Sequence, residues 1–96
     1  MKLGFIGCGN MASAIIGGIL EKKIVDREDI TASTKSEESA AKIKEKLGIA
    51  CSTDNRETAK HSDMVFLAVK PQFLEDVIAE IKDVLGSDQV IISIAA

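Results

Sequence analysis

Short apolar runs alternate with longer amphipathic segments along this chain of 96 residues. The apolar runs predict five β-strands, at residues 2–6, 30–33, 49–51, 64–69 and 90–94. The segments between them carry apolar residues at helical spacing and predict helices at 10–21, 37–47, 55–60 and 71–85. Residues that commonly begin or end helices stand at several of these boundaries: Ser36, Gly48, Pro71 and Gly86.

The regular alternation of strand and helix predicts an α/β fold. The strands are apolar on both faces, which is typical of a parallel sheet covered by helices on both sides. Right-handed crossovers favour the strand order 3-2-1-4-5, a doubly wound sheet of the Rossmann type. Its winding reverses between the first strand and the strand at 64–69, and ligands bind beyond the carboxyl ends of the strands at such a point.

Composition and charge indicate a globular protein and disfavour nucleic-acid-binding, membrane-spanning and disulfide-rich classes. Hydrophobic residues make up 46% and charged residues 28%, values typical of one globular domain over 1–96. The net charge of −3 disfavours nucleic-acid binding through a basic face. No apolar run approaches the ~20 residues of a membrane span, and the apolar N-terminal run is too short for a signal peptide. Two cysteines are too few for a disulfide framework, so we expect a cytoplasmic protein without membrane partners.

A small-residue motif of the form G-x-G-x-x-A spans residues 7–12, directly after a strand and at the start of a helix. Gly7 permits a tight turn, Gly9 leaves room for a pyrophosphate against the backbone, and Ala12 lets the helix lie close to the strand. The free amides and positive dipole end of the helix favour phosphate groups. The motif therefore predicts dinucleotide binding; the alternative is a plain strand-to-helix turn. Cys8, at the variable position, is expected to be a small buried residue.

The residues after the second strand indicate which dinucleotide binds. NAD-selective domains place a carboxylate there for the ribose 2′-hydroxyl, but this chain has none before Glu37. It offers the hydroxyls of Ser33 and Thr34 and the ammonium of Lys35, which suit a 2′-phosphate. We therefore expect a preference for NADP(H), with use of NAD(H) left open. The alternative is a solvated polar loop.

Three further segments lie on the predicted ligand side of the sheet. Pro71 stiffens the loop over residues 68–72, whose backbone could pack along the ribose and nicotinamide, although Lys70 could be an ordinary surface lysine. Asn55 could hydrogen-bond the adenine ribose or serve as a turn or capping residue. The small residues Ala95 and Ala96 permit a flat ring to approach.

Other chemistry finds no support in the sequence. His61 stands alone and is expected to be solvated, and the two cysteines are expected about 9–10 Å apart, too far to bridge. No group of residues has the spacing of a metal site. No serine or cysteine has a visible base, so the catalytic residues stay unassigned.

Four segments in the right order resemble pyrroline-5-carboxylate reductase: 5–12 (FIGCGNMA), 61–63 (HSD), 66–72 (FLAVKPQ) and 92–96 (ISIAA). The resemblance implies the last step of proline biosynthesis, in which a hydride passes from NAD(P)H to the C=N bond of 1-pyrroline-5-carboxylate. It also implies cofactor contacts at 6–11, Thr34, Asn55 and 68–71. Combined with the residues chosen above, the predicted cofactor-binding set is Ile6, Gly7, Cys8, Gly9, Asn10, Met11, Ser33, Thr34, Lys35, Asn55, Ala68, Val69, Lys70, Pro71, Ala95 and Ala96.

The family resembled here has a second, helical half that dimerises and completes the substrate site. This chain stops at Ala96, so we expect it to lack that C-terminal domain and to be the cofactor domain of a longer, homo-oligomeric enzyme. Alone it should bind NADP(H) weakly and reduce no pyrroline carboxylate. Two alternatives remain. One is the cofactor domain of another NADP-dependent dehydrogenase, resembling a 3-hydroxyacid dehydrogenase or a deazaflavin-dependent NADP reductase; the other is a non-catalytic NADP(H)-binding module.

Overall fold

The computed structural model describes residues 1–94, which form five strands and four α-helices. The strands are β1 (Leu3–Ile6), β2 (Ile30–Ser33), β3 (Ala50–Ser52), β4 (Met64–Leu67) and β5 (Val90–Ser93). The helices are α1 (Asn10–Glu21), α2 (Glu37–Leu47), α3 (Asn55–Lys60) and α4 (Pro71–Ile81). A single 3-10 turn, Arg27–Asp29, precedes β2. Among residues 1–94, no helix has both the length and the apolar content needed to cross a bilayer.

All five strands are parallel, in the order β3-β2-β1-β4-β5. The predicted α/β class, doubly wound sheet and strand order are confirmed. β1 is the central strand, with Leu3 opposite both Ile30 of β2 and Met64 of β4. The winding reverses across the β1–β4 pair, so the carboxyl ends of these two strands form the switch point at which a ligand is expected.

Helices cover the two faces of the sheet and make two separate apolar cores. One core contains Ile16 of α1 and Ile43 of α2 packed against strand residues such as Phe5. The other contains Val77 and Ile81 of α4, together with residues of α3, β1 and β4. Ile16 is fully buried, and burial of such a side chain contributes about 1.5–3 kcal/mol. The burial pattern places every residue of β1 in the interior, as expected for a strand covered on both faces.

An aromatic pair joins β1 and β4 beneath the switch point. Phe5 and Phe66 are directly opposite each other in the register. Their rings stack with centroids 4.4 Å apart and planes inclined by 6°. Such a pair adds about 0.5–1.5 kcal/mol beyond the burial of its surface.

Side-chain caps divide the helices into two pairs. Ser36 Oγ caps α2 by accepting a hydrogen bond from the Ser39 amide, and Asp54 caps α3 by accepting one from the Glu57 amide. By contrast, no side chain in the described part of the protein caps α1 or α4. The uncapped helices are those that follow β1 and β4, the two strands at the switch point.

Several boundaries differ from the prediction. α4 ends at Ile81 rather than 85, although Leu85 still packs against the second core from the turn that follows. β4 ends at Leu67, which leaves Ala68 and Val69 in the loop. β5 was expected to be buried, but as an edge strand it is largely exposed, with Val90 51% accessible.

Candidate functional site

A cleft of about 560 Å³ opens at the carboxyl ends of β1, β2 and β4, where the fold predicts a ligand. This volume lies within the range of small-ligand sites. The residues that line it are Ile6, Gly7, Ser33, Thr34, Lys35, Thr53, Asn55, Ala68, Val69, Lys70, Gln72, Phe73, Asp76 and Val77. Nine of these belong to the predicted cofactor-binding set, so the topology brings segments distant in sequence into one site.

Gly7 makes the turn after β1 and allows it to touch the loop after β4. Its φ is +84°, a conformation that glycine adopts at little cost. A Cβ at this position would lie 2.7 Å from the carbonyl oxygen of Ala68. Its amide donates to the Ser33 carbonyl oxygen at 2.8 Å and so ties the turn to β2. Gly7 is therefore required by the fold itself.

Gly9 is different, because the space around it is open. Its φ of −86° and ψ of −160° are accessible to any residue. Among the described residues other than Gly9 and its two chain neighbours, no atom lies within 4 Å of the position that a Cβ would take. The fold thus gives no reason for a glycine here, whereas a ligand that approaches the main chain does.

The amides at the start of α1 are available to such a ligand. The first intrahelical bond runs from the Ser13 amide to the Gly9 carbonyl at 2.9 Å, so the amides of residues 10–12 have no intrahelical partner. No side chain of residues 1–94 caps them, and the first turn holds no acidic residue. Met11 is 49% exposed, while Ala12 is buried against the sheet as predicted. This helix end is suited to an anion such as a diphosphate.

The loop after β4 leads into the second uncapped helix. Lys70 has φ −63° and ψ 148°, the extended conformation predicted for a residue before proline. Pro71 is the first residue of α4, and the Lys70 side chain is exposed at the rim of the cleft. The positive ends of α1 and α4 thus meet at the switch point.

After β2, Lys35 and Thr34 border the opposite end of the cleft. The Lys35 ammonium lies 3.6 Å from the centroid of the Phe73 ring. Within residues 1–94, no carboxylate is at ion-pair distance from it. The Thr34 hydroxyl donates to the Ser36 carbonyl oxygen at 3.0 Å. Among the described residues, the Lys35 ammonium at this end of the cleft is therefore not held in an ion pair.

Ser33 and Asn55 form a hydrogen-bonded pair. The Ser33 hydroxyl is fully buried and donates to Asn55 Oδ1 at 2.6 Å. The Asn55 amide nitrogen donates to Glu80 Oε1 at 2.8 Å. Because Asp54 caps α3, Asn55 is not a capping residue; it borders the cleft instead. Ser33, predicted to offer its hydroxyl to a ligand, holds Asn55 in place in this structure.

The remaining predicted residues stand as follows. Cys8 is half-buried, with its Sγ 3.7 Å from Ser13 Oγ, and burial raises the pKa of its thiol. Cys51 is buried, and both thiols are free as predicted. His61 ends α3 with an exposed side chain 3.5 Å from a carboxylate oxygen of Glu57, in agreement with a solvated residue. Ala95 and Ala96 lie outside the described residues.

The prediction missed the face that α4 presents to the cleft. Phe73, Asp76 and Val77 line it, and Thr53 joins them from the loop after β3. The signal was present in the sequence, because Pro71 fixes the first helical position and residues three and four apart share a helix face.

Comparisons with known proteins identify relatives of this chain. The model of the family described as NADP oxidoreductase, coenzyme F420-dependent, matches residues 2–96. The pyrroline-5-carboxylate reductase of Methanosarcina acetivorans is 44% identical over 95 residues, covering 99% of this chain and 35% of that protein. A solved pyrroline-5-carboxylate reductase from Coxiella burnetii has a TM-score of 0.90 at 36% identity, covering 99% of this chain and 35% of its own. The Plasmodium falciparum pyrroline carboxylate reductase, solved with NADP bound, has a TM-score of 0.84 at 33% identity, covering 99% of this chain and 33% of its own.

These matches confirm the resemblance predicted from the four motifs. The chain spans about a third of the length of the relatives. The family description corresponds to the deazaflavin-dependent class kept as an alternative, whereas the relatives just named are pyrroline carboxylate reductases.

Proposed function

This chain belongs to the family described as NADP oxidoreductase, coenzyme F420-dependent, and from that premise we propose that residues 1–96 are the NADP(H)-binding domain of a pyrroline-5-carboxylate reductase. The proposed reaction of the whole enzyme is reduction of the C=N bond of 1-pyrroline-5-carboxylate to give L-proline. NADPH, when bound, would supply the hydride.

The proposal rests on one observation: at the switch point, Gly9 lies in open space next to helix amides that have no intrahelical partner. The amides of residues 10–12 can hold a diphosphate, and the absence of a side chain at Gly9 lets it reach them. Helices α2 and α3 could not serve, because side chains already cap them.

Lys35 supports NADP(H) over NAD(H). No carboxylate borders β2 where an NAD-binding domain would hold the ribose 2′-hydroxyl. The Lys35 ammonium can instead pair with a 2′-phosphate, and a charge-assisted hydrogen bond contributes about 1.5–3 kcal/mol. NAD(H) lacks this phosphate, so we expect it to bind more weakly.

The other residues of the cleft position the cofactor. Asn55, held by Ser33, can hydrogen-bond the adenine-side ribose, and the backbone of residues 68–70 can pack along the nicotinamide half. Positioning of this kind lowers the entropic part of a reaction barrier. The residues that bind the imine and supply its proton are expected outside this chain.

The proposal includes a second domain that completes the substrate side. Its support is the coverage of the relatives, of which this chain matches about a third. A hydride transfer also requires a wall that excludes water from the imine. We further propose that the whole enzyme is a cytoplasmic homodimer or higher homo-oligomer.

Calorimetric titration of the chain with NADPH and NADH tests cofactor binding. Calorimetry is appropriate because the chain contains no Trp and no Tyr as intrinsic fluorophores. We expect NADPH to bind and NADH to bind more weakly; equal affinities would contradict the role of Lys35.

A steady-state assay of the whole reading frame with pyrroline-5-carboxylate tests the reaction, and absence of turnover would contradict it. The 96-residue chain alone should show no turnover.

The family description favours one second candidate, a reductase that exchanges hydride between NADP(H) and coenzyme F420. The same assay with F420 in place of the imine separates the two functions. Turnover with F420 alone would replace the first proposal and leave the cofactor site unchanged.

A further inference from the structure

A cation–π contact joins the two sides of the cleft at the end that follows β2. Lys35 follows β2, while Phe73 is in the first turn of α4. The Lys35 Nζ lies 3.6 Å above the ring centroid, well inside the ~6 Å limit for such a contact. Phe73 is half-buried and Lys35 is exposed, so the ring is the fixed partner and the lysine the mobile one.

The ring restrains a side chain that would otherwise be free. A lysine has four rotatable bonds, and its ammonium usually samples many positions in water. Within the described residues, Lys35 has no ion pair that would hold it elsewhere. The Phe73 ring occupies one side of the ammonium, and the remaining N–H donors can point to an anion in the cleft.

We propose that Phe73 is a specificity-determining residue that positions Lys35 for the 2′-phosphate of NADP(H). This inference rests on the proposed cofactor function and adds a residue on α4 that contacts the lysine rather than the phosphate. Restraint of a ligand-binding group before binding improves affinity by reducing the entropy lost on binding. The benefit applies only to a ligand that carries the 2′-phosphate.

The experiment compares ligands with and without that phosphate. NADPH and NADH, and the fragments adenosine 2′,5′-bisphosphate and AMP, are titrated calorimetrically into the wild type, Phe73→Leu, Phe73→Tyr, Lys35→Gln and the double variant Phe73→Leu/Lys35→Gln. We expect Phe73→Leu to weaken the two 2′-phosphorylated ligands about two- to fivefold, the range of an exposed cation–π contact. NADH and AMP should be unaffected. Phe73→Tyr keeps an aromatic face, so this variant should bind all four ligands with the affinity of the wild type.

The double variant tests whether the ring acts through the lysine. With Lys35→Gln in place, the Phe73→Leu change should no longer alter the affinity for NADPH. Circular dichroism confirms that each variant is folded, and Phe73→Tyr provides a test that does not depend on loss of the ring.

Three results would overturn the inference. Equal weakening of phosphorylated and unphosphorylated ligands in Phe73→Leu would show a general packing role. Tighter NADPH binding in that variant would show that the ring sequesters Lys35 instead of presenting it. If the wild type binds neither NADPH nor NADH, the proposed function falls and this inference with it, whereas the first two results leave the proposed function intact.

Discussion

Replacement of Gly9 by valine should separate cofactor binding from folding. The φ and ψ of Gly9 suit valine, and a Cβ there meets no described atom within 4 Å beyond Gly9 and its two chain neighbours. The cost to stability is confined to the loss of a favourable N-terminal capping residue, about 1 kcal/mol. A diphosphate, however, would be kept away from the amides of residues 10–12. Loss of two charge-assisted hydrogen bonds corresponds to about 3–6 kcal/mol, or at least a hundredfold in affinity.

Two other glycines serve as controls in the same assay. Gly7→Ala should destabilise the fold, because its φ is +84° and the new Cβ would lie 2.7 Å from the Ala68 carbonyl oxygen. Gly17→Ala lies inside α1 with open space around it, so it should raise stability by about 0.5–1 kcal/mol and leave cofactor binding unchanged. Stability is measured by urea unfolding followed by circular dichroism, and NADPH affinity by calorimetry.

The reasoning fails if Gly9→Val binds NADPH within about threefold of the wild type. That result would place the diphosphate away from the start of α1. A loss of binding in the Gly17→Ala control would also refute it, since the effect would then reflect a disturbed α1 rather than a blocked approach at Gly9.

The remaining predictions concern stability. Ser33→Ala removes the buried donor to Asn55 and should lower the free energy of unfolding by about 0.5–1.5 kcal/mol, measured in urea; no change would show that the bond contributes nothing. Arg56, bonded to Asp83 at 2.6 and 3.0 Å, lowers the pKa of that carboxyl group, so the pair stabilises the fold above the ordinary aspartate pKa. Asp83→Asn should therefore be less stable than the wild type at neutral pH, and the difference should shrink as the pH falls below about 4. Urea titrations at several pH values measure this difference, and a difference that does not change with pH would contradict the prediction. Burial raises the pKa of the Cys51 thiol, so the folded state resists its ionisation and stability should fall as the pH rises above about 8.5. The fall should be shallower in Cys51→Ala, and parallel pH profiles would refute this.

The sequence predicts the fold of this chain well, because the strands, the helices and the strand order each follow from a local sequence pattern. Apolar runs specify buried strands, and the right-handed crossover rule then leaves few strand orders. Edge exposure cannot be predicted in the same way: the apolar composition of β5 is like that of a central strand, yet among the described strands it pairs with β4 alone. The end of α4 was also misplaced, since Leu85 continues the apolar spacing from a turn.

The candidate site could be predicted at positions where a single physical reason requires one residue type. Gly7 and Pro71 are of this kind, because Gly7 has a φ of +84° and Pro71 is the first residue of α4. Gly9 has an ordinary extended conformation, and only the open space around it points to a ligand. Contacts between distant segments were not predictable. Nothing in the sequence indicates that the Ser33 hydroxyl would donate to Asn55 or that Lys35 would rest on an aromatic ring, because both depend on how α3 and α4 lie against the sheet.

The stacked rings of Phe5 and Phe66 have a consequence for how the cleft behaves before any ligand arrives. They pack β1 against β4 directly below the site, so we expect the two loops above them to keep their spacing. Binding should then rearrange mainly the exposed side chains at the rim. The main-chain amides of these two strands should accordingly be among the slowest in the protein to exchange with deuterium.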